Sequence, residues 1–146
     1  MMKINKDDAP KQRSTSYLLD THALIWLAGE PEKLSSEAIA ILSDDNNRFY
    51  FSSVSIQEIA IKTALNKPSF SIDAEAMTKG LLSAGYLELP MNATHAYNLA
   101  ELPEMHQDPF DRMLVSQAKI EGLALITNDG NIIKYCSDYI CVIKCY

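Results

Sequence analysis

The sequence predicts an α/β domain whose mainly parallel central sheet is covered by helices on both faces. Short apolar runs of strand length alternate with stretches of helical periodicity, an order typical of parallel sheets. The chain has 146 residues, which suits one domain, and 47% of them are apolar, which suffices for a core. We expect the domain to span residues 16–146 and residues 1–15, which mix charges with a proline, to form a mobile tail.

The predicted strands are apolar or aromatic runs of four to six residues. Such continuous runs are typical of strands that are buried on both faces. In chain order they are SYLLD (16–20), RFYFSS (48–53), YLEL (86–89), LALIT (123–127) and YICVI (139–143).

The predicted helices show apolar residues three and four positions apart, and several begin after a serine, asparagine or aspartate that can cap them. In chain order they are THALIWLA (21–28), LSSEAIAILSD (34–44), VSIQEIAIKTALN (54–66), DAEAMTKGLLSAG (73–85), NATHAYNLAEL (92–102) and DPFDRMLVSQAKIEG (108–122), with NIIKY (131–135) as a short helical turn.

Charge and composition restrict the possible functions. The net charge is −6, so no basic surface indicates a DNA reader, whereas a nuclease remains compatible because a bound metal can supply positive charge. Charges interrupt the apolar runs before they reach membrane-spanning length, so we expect no membrane association. Cys136, Cys141 and Cys145 match no zinc-site spacing, which favours reduced, structural thiols in a cytoplasmic protein.

Four acidic residues lie where ligands bind in parallel α/β sheets, beyond the carboxyl ends of strands. Asp20 and Asp129 follow two of the buried strands, and Glu58 and Asp111 lie early in two helices. If those strands are neighbours, the four carboxylates converge, repel one another and raise each other's pKa values. A divalent cation removes that cost, and ligation by oxygen alone favours Mg²⁺ or Mn²⁺ over zinc.

Each acid also has a purely structural interpretation. Asp20 suits the N-cap of the first helix, and Asp129 lies in an ordinary NDG turn. Glu58 can form a surface ion pair with Lys62, although Val54, Ile61 and Leu65 share its helical face. Asp108, before a proline, suits an N-cap, so we assign Asp108 to capping and Asp111 to chemistry.

The chain resembles the PIN-domain family, and within it the VapC-type toxins of bacterial toxin–antitoxin pairs. The resemblance rests on YLLDTHALIWL, SSVSIQEIAIK and HQDPFDRMLVSQAKIEGLALITND in this order, and it spans roughly residues 16–143. It implies a PIN-like three-layer α/β/α fold. The family's four acidic positions match Asp20, Glu58, Asp111 and Asp129, one at each motif.

The resemblance also implies a function. Family members of this type are metal-dependent endoribonucleases, so the four acids are expected to be catalytic and to hold Mg²⁺ or Mn²⁺, with Asp129 binding a second ion or orienting the attacking water. The expected partners are an RNA substrate, a cognate antitoxin protein and a second copy of the chain in a homodimer. His106 is the best placed of the three histidines, because it precedes the acidic helix, but a structural or exposed role is favoured for it.

Three alternatives were weighed. A non-catalytic PIN-like module that binds RNA or protein is the strongest of them, although the presence of all four acids counts against it. A haloacid-dehalogenase-like phosphatase requires an aspartate two residues after Asp20, where His22 stands. A receiver-type signalling domain requires paired acids at the first strand and a lysine after a late strand, and neither is present.

Overall fold

All five strands of the central sheet run parallel, in the order β3-β2-β1-β4-β5. The computed structural model describes residues 15–68 and 70–146, so the predicted tail lies outside the described residues except for Thr15. The strand bounds are β1 Ser16–Leu19, β2 Arg48–Ser52, β3 Leu87–Leu89, β4 Ala124–Thr127 and β5 Val142–Lys144. The predicted α/β fold class is confirmed.

Helices connect the strands, and their first turns follow the capping residues that the sequence offers. The bounds are α1 Thr21–Gly29, α2 Ser36–Leu42, α3 Ser53–Ala64, α4 Ala74–Ser83, α5 Ala93–Tyr97, α6 Pro109–Glu121 and α7 Gly130–Cys136, with 3₁₀ turns at Pro31–Lys33 and Asn98–Glu101. Helix α6 ends at Gly122, whose positive φ of 67° is a left-handed conformation that glycine adopts without strain.

Two apolar clusters pack on the two faces of the sheet, as expected for side chains that alternate along each strand. Leu18 of β1 packs in one cluster with Leu114 of α6. Its neighbour Leu19 packs in the other cluster with Leu24 of α1 and Ile59 of α3. Helices therefore cover both faces of the sheet, which fixes the starts of α1, α3 and α6 relative to the strand ends.

Two predicted elements differ from the structure. The predicted C-terminal strand begins only at Val142, because the backbone N–H groups of Tyr139 and Ile140 instead donate to the carbonyl of Cys136 in a turn after α7. The helix predicted over residues 92–102 is a five-residue α5 that continues as a 3₁₀ turn. Neither difference changes the course of the strands near the acidic residues.

The order of the strands brings three strand ends together. β1 lies between β2 and β4, so the residues that follow these three strands meet at one edge. We call this the acidic edge, because Asp20 follows β1, Glu58 lies in the helix after β2 and Asp129 follows β4. The sequence predicted that the acidic residues converge if these strands are neighbours. The structure shows that they are neighbours.

The remaining general expectations concern thiols and membranes. Cys136, Cys141 and Cys145 are free thiols, and the first and last of them are buried. Within residues 15–68 and 70–146, none of the helices has the length and apolar character needed to span a bilayer.

Candidate active site

Asp20 is locked in place by backbone and side-chain donors from both neighbouring segments. Its own N–H donates to the carbonyl of Ile126 in β4 (2.9 Å). Its Oδ1 accepts from the N–H of Ala23 (2.8 Å), and its Oδ2 accepts from the hydroxyl of Thr127 and from the N–H of Asn128 (3.3 Å). Asp20 is only 2% exposed. The carboxylate therefore does cap α1, and the same bonds hold it at the acidic edge.

Burial dominates the electrostatics of Asp20. Desolvation raises the pKa of its carboxyl group above the ordinary value, and the hydrogen bonds from Thr127 and Ala23 offset only part of that effect. A nearby cation would relieve the remaining cost of burying this charge.

Glu58 is buried beside the first turn of α1, with 3% of its surface exposed. Its Oε1 accepts a hydrogen bond from the hydroxyl of Thr21 (2.6 Å), and its Oε2 lies 2.6 Å from the Lys62 amine. The Thr21 hydroxyl also lies 3.0 Å from the Ser55 hydroxyl. Because Thr21 directly follows Asp20, it connects the two buried acids, which we call the inner pair.

The sequence-based picture of the Glu58 face is wrong in part. Val54 is buried with Glu58, as predicted, but Ile61 and Leu65 are 42% and 62% exposed. The face of α3 that meets the domain carries Val54, Ser55, Glu58 and Ile59 instead. The ion pair with Lys62 exists, yet it is not the surface pair that the structural interpretation assumed.

Asp108 caps α6 as the sequence suggested, and Asp111 is placed differently in the first turn of the same helix. Asp108 Oδ1 accepts from the N–H groups of Phe110 (2.9 Å) and Asp111 (3.0 Å), so it caps α6. Asp111, with its side chain 20% exposed, lies one turn before the fully buried Leu114 and Val115. Capping by Asp108 leaves the Asp111 carboxyl free to face the acidic edge.

Asp129 is a helix cap as well as a member of the acidic edge. Its Oδ1 accepts from the N–H groups of Asn131 (2.7 Å) and Ile132 (3.2 Å), so it caps α7. The ordinary-turn interpretation of NDG is therefore wrong. Its Oδ2 lies 2.8 Å from the Nε2 atom of His106, which also lies 3.3 Å from Asp111 Oδ2.

His106 lies in the site, although the sequence favoured a structural or exposed role for it. Its backbone N–H donates to the side-chain oxygen of Asn131 (2.8 Å), and its Nδ1 accepts from the N–H of Asp108 (3.3 Å). The proton of the neutral ring is therefore assigned to Nε2, which donates to the acids. The available signal was its position two residues before the capping Asp108.

The pKa values of Asp111 and Asp129 shift in opposite directions. Burial, followed by the hydrogen bond with Asp129, raises the pKa of Asp111 to about 9. Burial alone would raise the pKa of Asp129 too, but the bonds from His106 and Asp111 outweigh it and lower that pKa. The charges of Asp108, Asp129 and Asp20 contribute to the rise at Asp111, which places Asp20 within electrostatic reach of this pair.

His106, Asp111 and Asp129 each present a ligand atom, and these atoms lie within 4.8 Å of one another. We call these three residues the outer cluster. Two carboxyl groups this close to each other suit a hard cation, and their oxygens suit Mg²⁺ or Mn²⁺. The donor set therefore fits the predicted ion.

The structure thus arranges the four predicted acids as two units. Ligand atoms of Asp111 and Asp129 lie within 4.8 Å of each other, whereas Asp20 and Glu58 form the inner pair and are not members of the outer cluster. Sequence reasoning assigned no site role to Ser55. The only indication in the sequence was its position one helical turn before Glu58.

Comparison with known proteins agrees with this fold. The model of the PIN domain family matches residues 17–137. The chain belongs to the PIN domain family. No curated protein sequence matches it significantly.

Solved structures share the fold at low sequence identity. VapBC2 from Rickettsia felis, bound to a promoter DNA fragment, is 16% identical with a TM-score of 0.67, covering 90% of this chain and 100% of that one. VapBC-1 from nontypeable Haemophilus influenzae is 17% identical with a TM-score of 0.61, covering 89% and 98%. DNA-bound VapBC from Salmonella typhimurium is 20% identical with a TM-score of 0.61, covering 88% and 97%.

Proposed function

We propose that the chain is a metal-dependent endoribonuclease that acts as the toxin of a toxin–antitoxin pair. The observation that carries this proposal is the proximity of Asp111 and Asp129, whose ligand atoms lie within 4.8 Å of each other, at an edge where Asp20 and Glu58 are also buried. Carboxylates concentrated in this way are characteristic of sites that bind divalent cations. Membership of the PIN domain family supports the same activity.

The proposed metal ligands are the four predicted acids. Asp20, Glu58 and Asp111 would hold Mg²⁺ or Mn²⁺ directly or through water, and Asp129 would bind a second ion or orient the attacking water. When bound, such an ion supplies a Lewis acid that lowers the pKa of a water molecule and polarises the scissile phosphate.

The protein's own residues position these groups. Thr127 and the N–H of Ala23 fix the orientation of Asp20, and Thr21 fixes that of Glu58. His106 donates a hydrogen bond to Asp129 Oδ2 and so restrains the position of this oxygen. Such restraint lowers the cost of arranging ligands at the moment of reaction.

The proposed reaction is hydrolysis of an RNA phosphodiester. The oxygen of water forms a bond to phosphorus as the bond from phosphorus to the 3′-oxygen breaks. One proton of the water ends on the 3′-oxygen, so the products carry a 5′-phosphate and a 3′-hydroxyl. The described residues contain no serine, cysteine and histidine arrangement at the acidic edge that would supply a covalent nucleophile instead.

The partners follow from the same proposal. The solved VapBC structures share this fold, and two of them are bound to DNA. Their resemblance to this chain supports a cognate antitoxin as its partner. We also propose a homodimer and action on RNA in the cytoplasm. Light scattering of the purified chain, alone and after co-expression with the protein encoded beside it, measures both assemblies.

The activity is tested with the chain purified without a partner and incubated with total RNA and Mg²⁺ or Mn²⁺. Wild type runs beside Asp111→Asn and beside an EDTA control. Discrete fragments from wild type alone support the proposal. Cleavage that survives the substitution contradicts the assigned site, and metal binding without cleavage of any RNA favours a non-catalytic binding module.

A further inference from the structure

The Lys62 side chain is partly buried, and its amine lies against Glu58 at the acidic edge. It lies 2.6 Å from Glu58 Oε2, with the two side chains 26% and 4% exposed. The chain contains a natural comparison at the same helical spacing: Lys79 lies 2.9 Å from Glu75, but there the side chains are 74% and 76% exposed. Sequence spacing therefore does not explain the position of Lys62, since only one of the two pairs is enclosed.

Two aromatic rings enclose the Lys62 amine on its other sides. Nζ lies 5.0 Å from the centroid of Phe70 and 5.6 Å from that of Phe110, both within the range of cation–π attraction. Phe110 directly precedes Asp111 in α6. The amine is therefore held between α3 and the first turn of α6, which is the turn that carries an acid of the outer cluster.

Lys62 carries the positive charge that is ordinary for lysine at neutral pH, and its counter-charge is Glu58. The residue is thus a fixed positive charge in a chain of net charge −6. Lys119, by contrast, lies over the Tyr139 ring and donates to its carbonyl, and it lines a groove with Ser16 at the start of β1, away from the acidic edge.

A cation at Glu58 Oε2 would compete with the Lys62 amine, because both are positive and both approach the same oxygen. If an ion takes Oε2, Lys62 loses its counter-charge while Phe70 and Phe110 still lie beside its amine. An anionic phosphodiester that enters the site can then replace the carboxylate as the partner of the amine. Lysine suits this exchange, because its flexible stem carries a compact charge with three donors.

We propose that Lys62 is a phosphodiester-binding residue that leaves Glu58 for the substrate when the divalent cation binds. This inference rests on the proposed function. It adds an exchange of partners at Glu58 Oε2. In the metal-free protein this oxygen binds the Lys62 amine, and in the loaded protein it would bind the cation. The amine would then bind the RNA phosphate.

The test uses the full chain with Lys62→Met, Lys62→Gln and, as the matched control, Lys79→Met. Methionine keeps the length and the apolar contact with the rings but removes the charge. Glutamine also removes the charge but keeps a donor for Glu58. Calorimetry measures Mn²⁺ affinity, steady-state kinetics measure cleavage of an RNA that wild type cuts, and thermal melting confirms folding.

Opposite shifts are expected in the two measurements. Removing the competing positive charge should tighten Mn²⁺ binding about 10-fold in both Lys62 variants. Losing the contact with the phosphodiester should lower kcat/KM for RNA about 100-fold. Lys79→Met should change neither quantity.

Three results would overturn this inference. Unchanged cleavage in folded Lys62→Met excludes a contact with the phosphate. Weakened Mn²⁺ binding together with lost cleavage in Lys62→Met, both restored in Lys62→Gln, means that Lys62 only holds Glu58 in place. Mn²⁺ affinity that does not rise in either variant excludes the exchange at Glu58. If wild type binds Mn²⁺ but cuts no RNA, the proposed function itself fails, a result distinct from these three.

Discussion

The inner pair and the outer cluster compensate their carboxylates in different ways. Asp20 and Glu58 are almost fully buried and accept hydrogen bonds from groups that the fold fixes in place. The side chains of Asp111 and Asp129 are each 20% exposed, and their charges are offset by the raised pKa of Asp111 and by the contact with His106. The fold therefore builds the inner pair in advance, whereas we expect a cation to complete the outer cluster.

Asp111→Asn should separate activity from stability most strongly. Cleavage should fall on the order of 1,000-fold, since a residue that acts as part of a catalytic unit is lost. The free energy of unfolding of the metal-free protein should stay the same or rise, because a neutral isostere replaces a carboxyl that already holds a proton. Initial rates and urea denaturation measure the two effects. A marked decrease in the free energy of unfolding would contradict a protonated Asp111 carboxyl group.

Asp20→Ala should instead destabilise the fold. It removes the N-cap of α1 and the acceptor of the buried Thr127 hydroxyl. Together these losses should lower the free energy of unfolding by about 3 kcal/mol. Urea denaturation beside Asp111→Ala makes the comparison direct, and equal losses in the two variants would remove the distinction between inner pair and outer cluster.

Thr21→Val tests the connection inside the inner pair. It deletes the donor to Glu58 Oε1 while keeping the shape of the side chain, so stability should fall by about 1 to 2 kcal/mol. Thr78→Val is the matched control, because among the described residues the Thr78 hydroxyl bonds only to the Ala74 carbonyl of its own helix. A loss no larger than that of the control would show that Glu58 does not depend on Thr21.

Asp108→Asn should have the smallest effect. Asparagine caps helices as well as aspartate does, so the change in stability should remain within about 0.5 kcal/mol, whereas Asp108→Ala should cost about 1 kcal/mol. Thermal melting of both variants measures the difference. A large loss of cleavage in Asp108→Asn would show that Asp108 belongs with the outer cluster and not only with the cap of α6.

Much of this arrangement could be predicted from the sequence, because its causes are local. Strand runs such as LALIT and caps such as Asp108 before Pro109 depend on neighbouring residues, and the structure confirms both. The pairing order that brings β1 between β2 and β4 is not local. The sequence could state convergence only as a condition, and the structure supplies it.

The contacts inside the site were harder to predict for the same reason. His106 meets Asp129 across 23 positions of sequence, and Thr21 meets Glu58 across 37. Periodicity alone placed Ile61 and Leu65 on the buried face with Glu58, because it cannot show which part of an apolar stripe a neighbouring helix covers. The two residues remain exposed.

The raised pKa of Asp111 also sets the direction in which stability changes with pH. Burial and Asp129 raise the pKa of Asp111 from 3.8 to about 9, so between these values the native metal-free protein holds a proton that the unfolded chain has lost. The stability that Asp111 contributes is therefore fully present below pH 3.8 and is lost as the pH rises toward 9. Asp129, with its lowered pKa, acts in the opposite sense and loses its contribution only in acid.

The number of protons released when Mn²⁺ binds at pH 7 shows whether a cation displaces the proton that the raised pKa of Asp111 retains. Calorimetry in buffers of different ionisation enthalpy measures that number for wild type and for Asp111→Asn. If the cation displaces this proton, wild type should release about one proton per ion, and the variant should bind weakly and release none. Tight binding by wild type without proton release would contradict a metal site at the outer cluster that is built on the protonated Asp111.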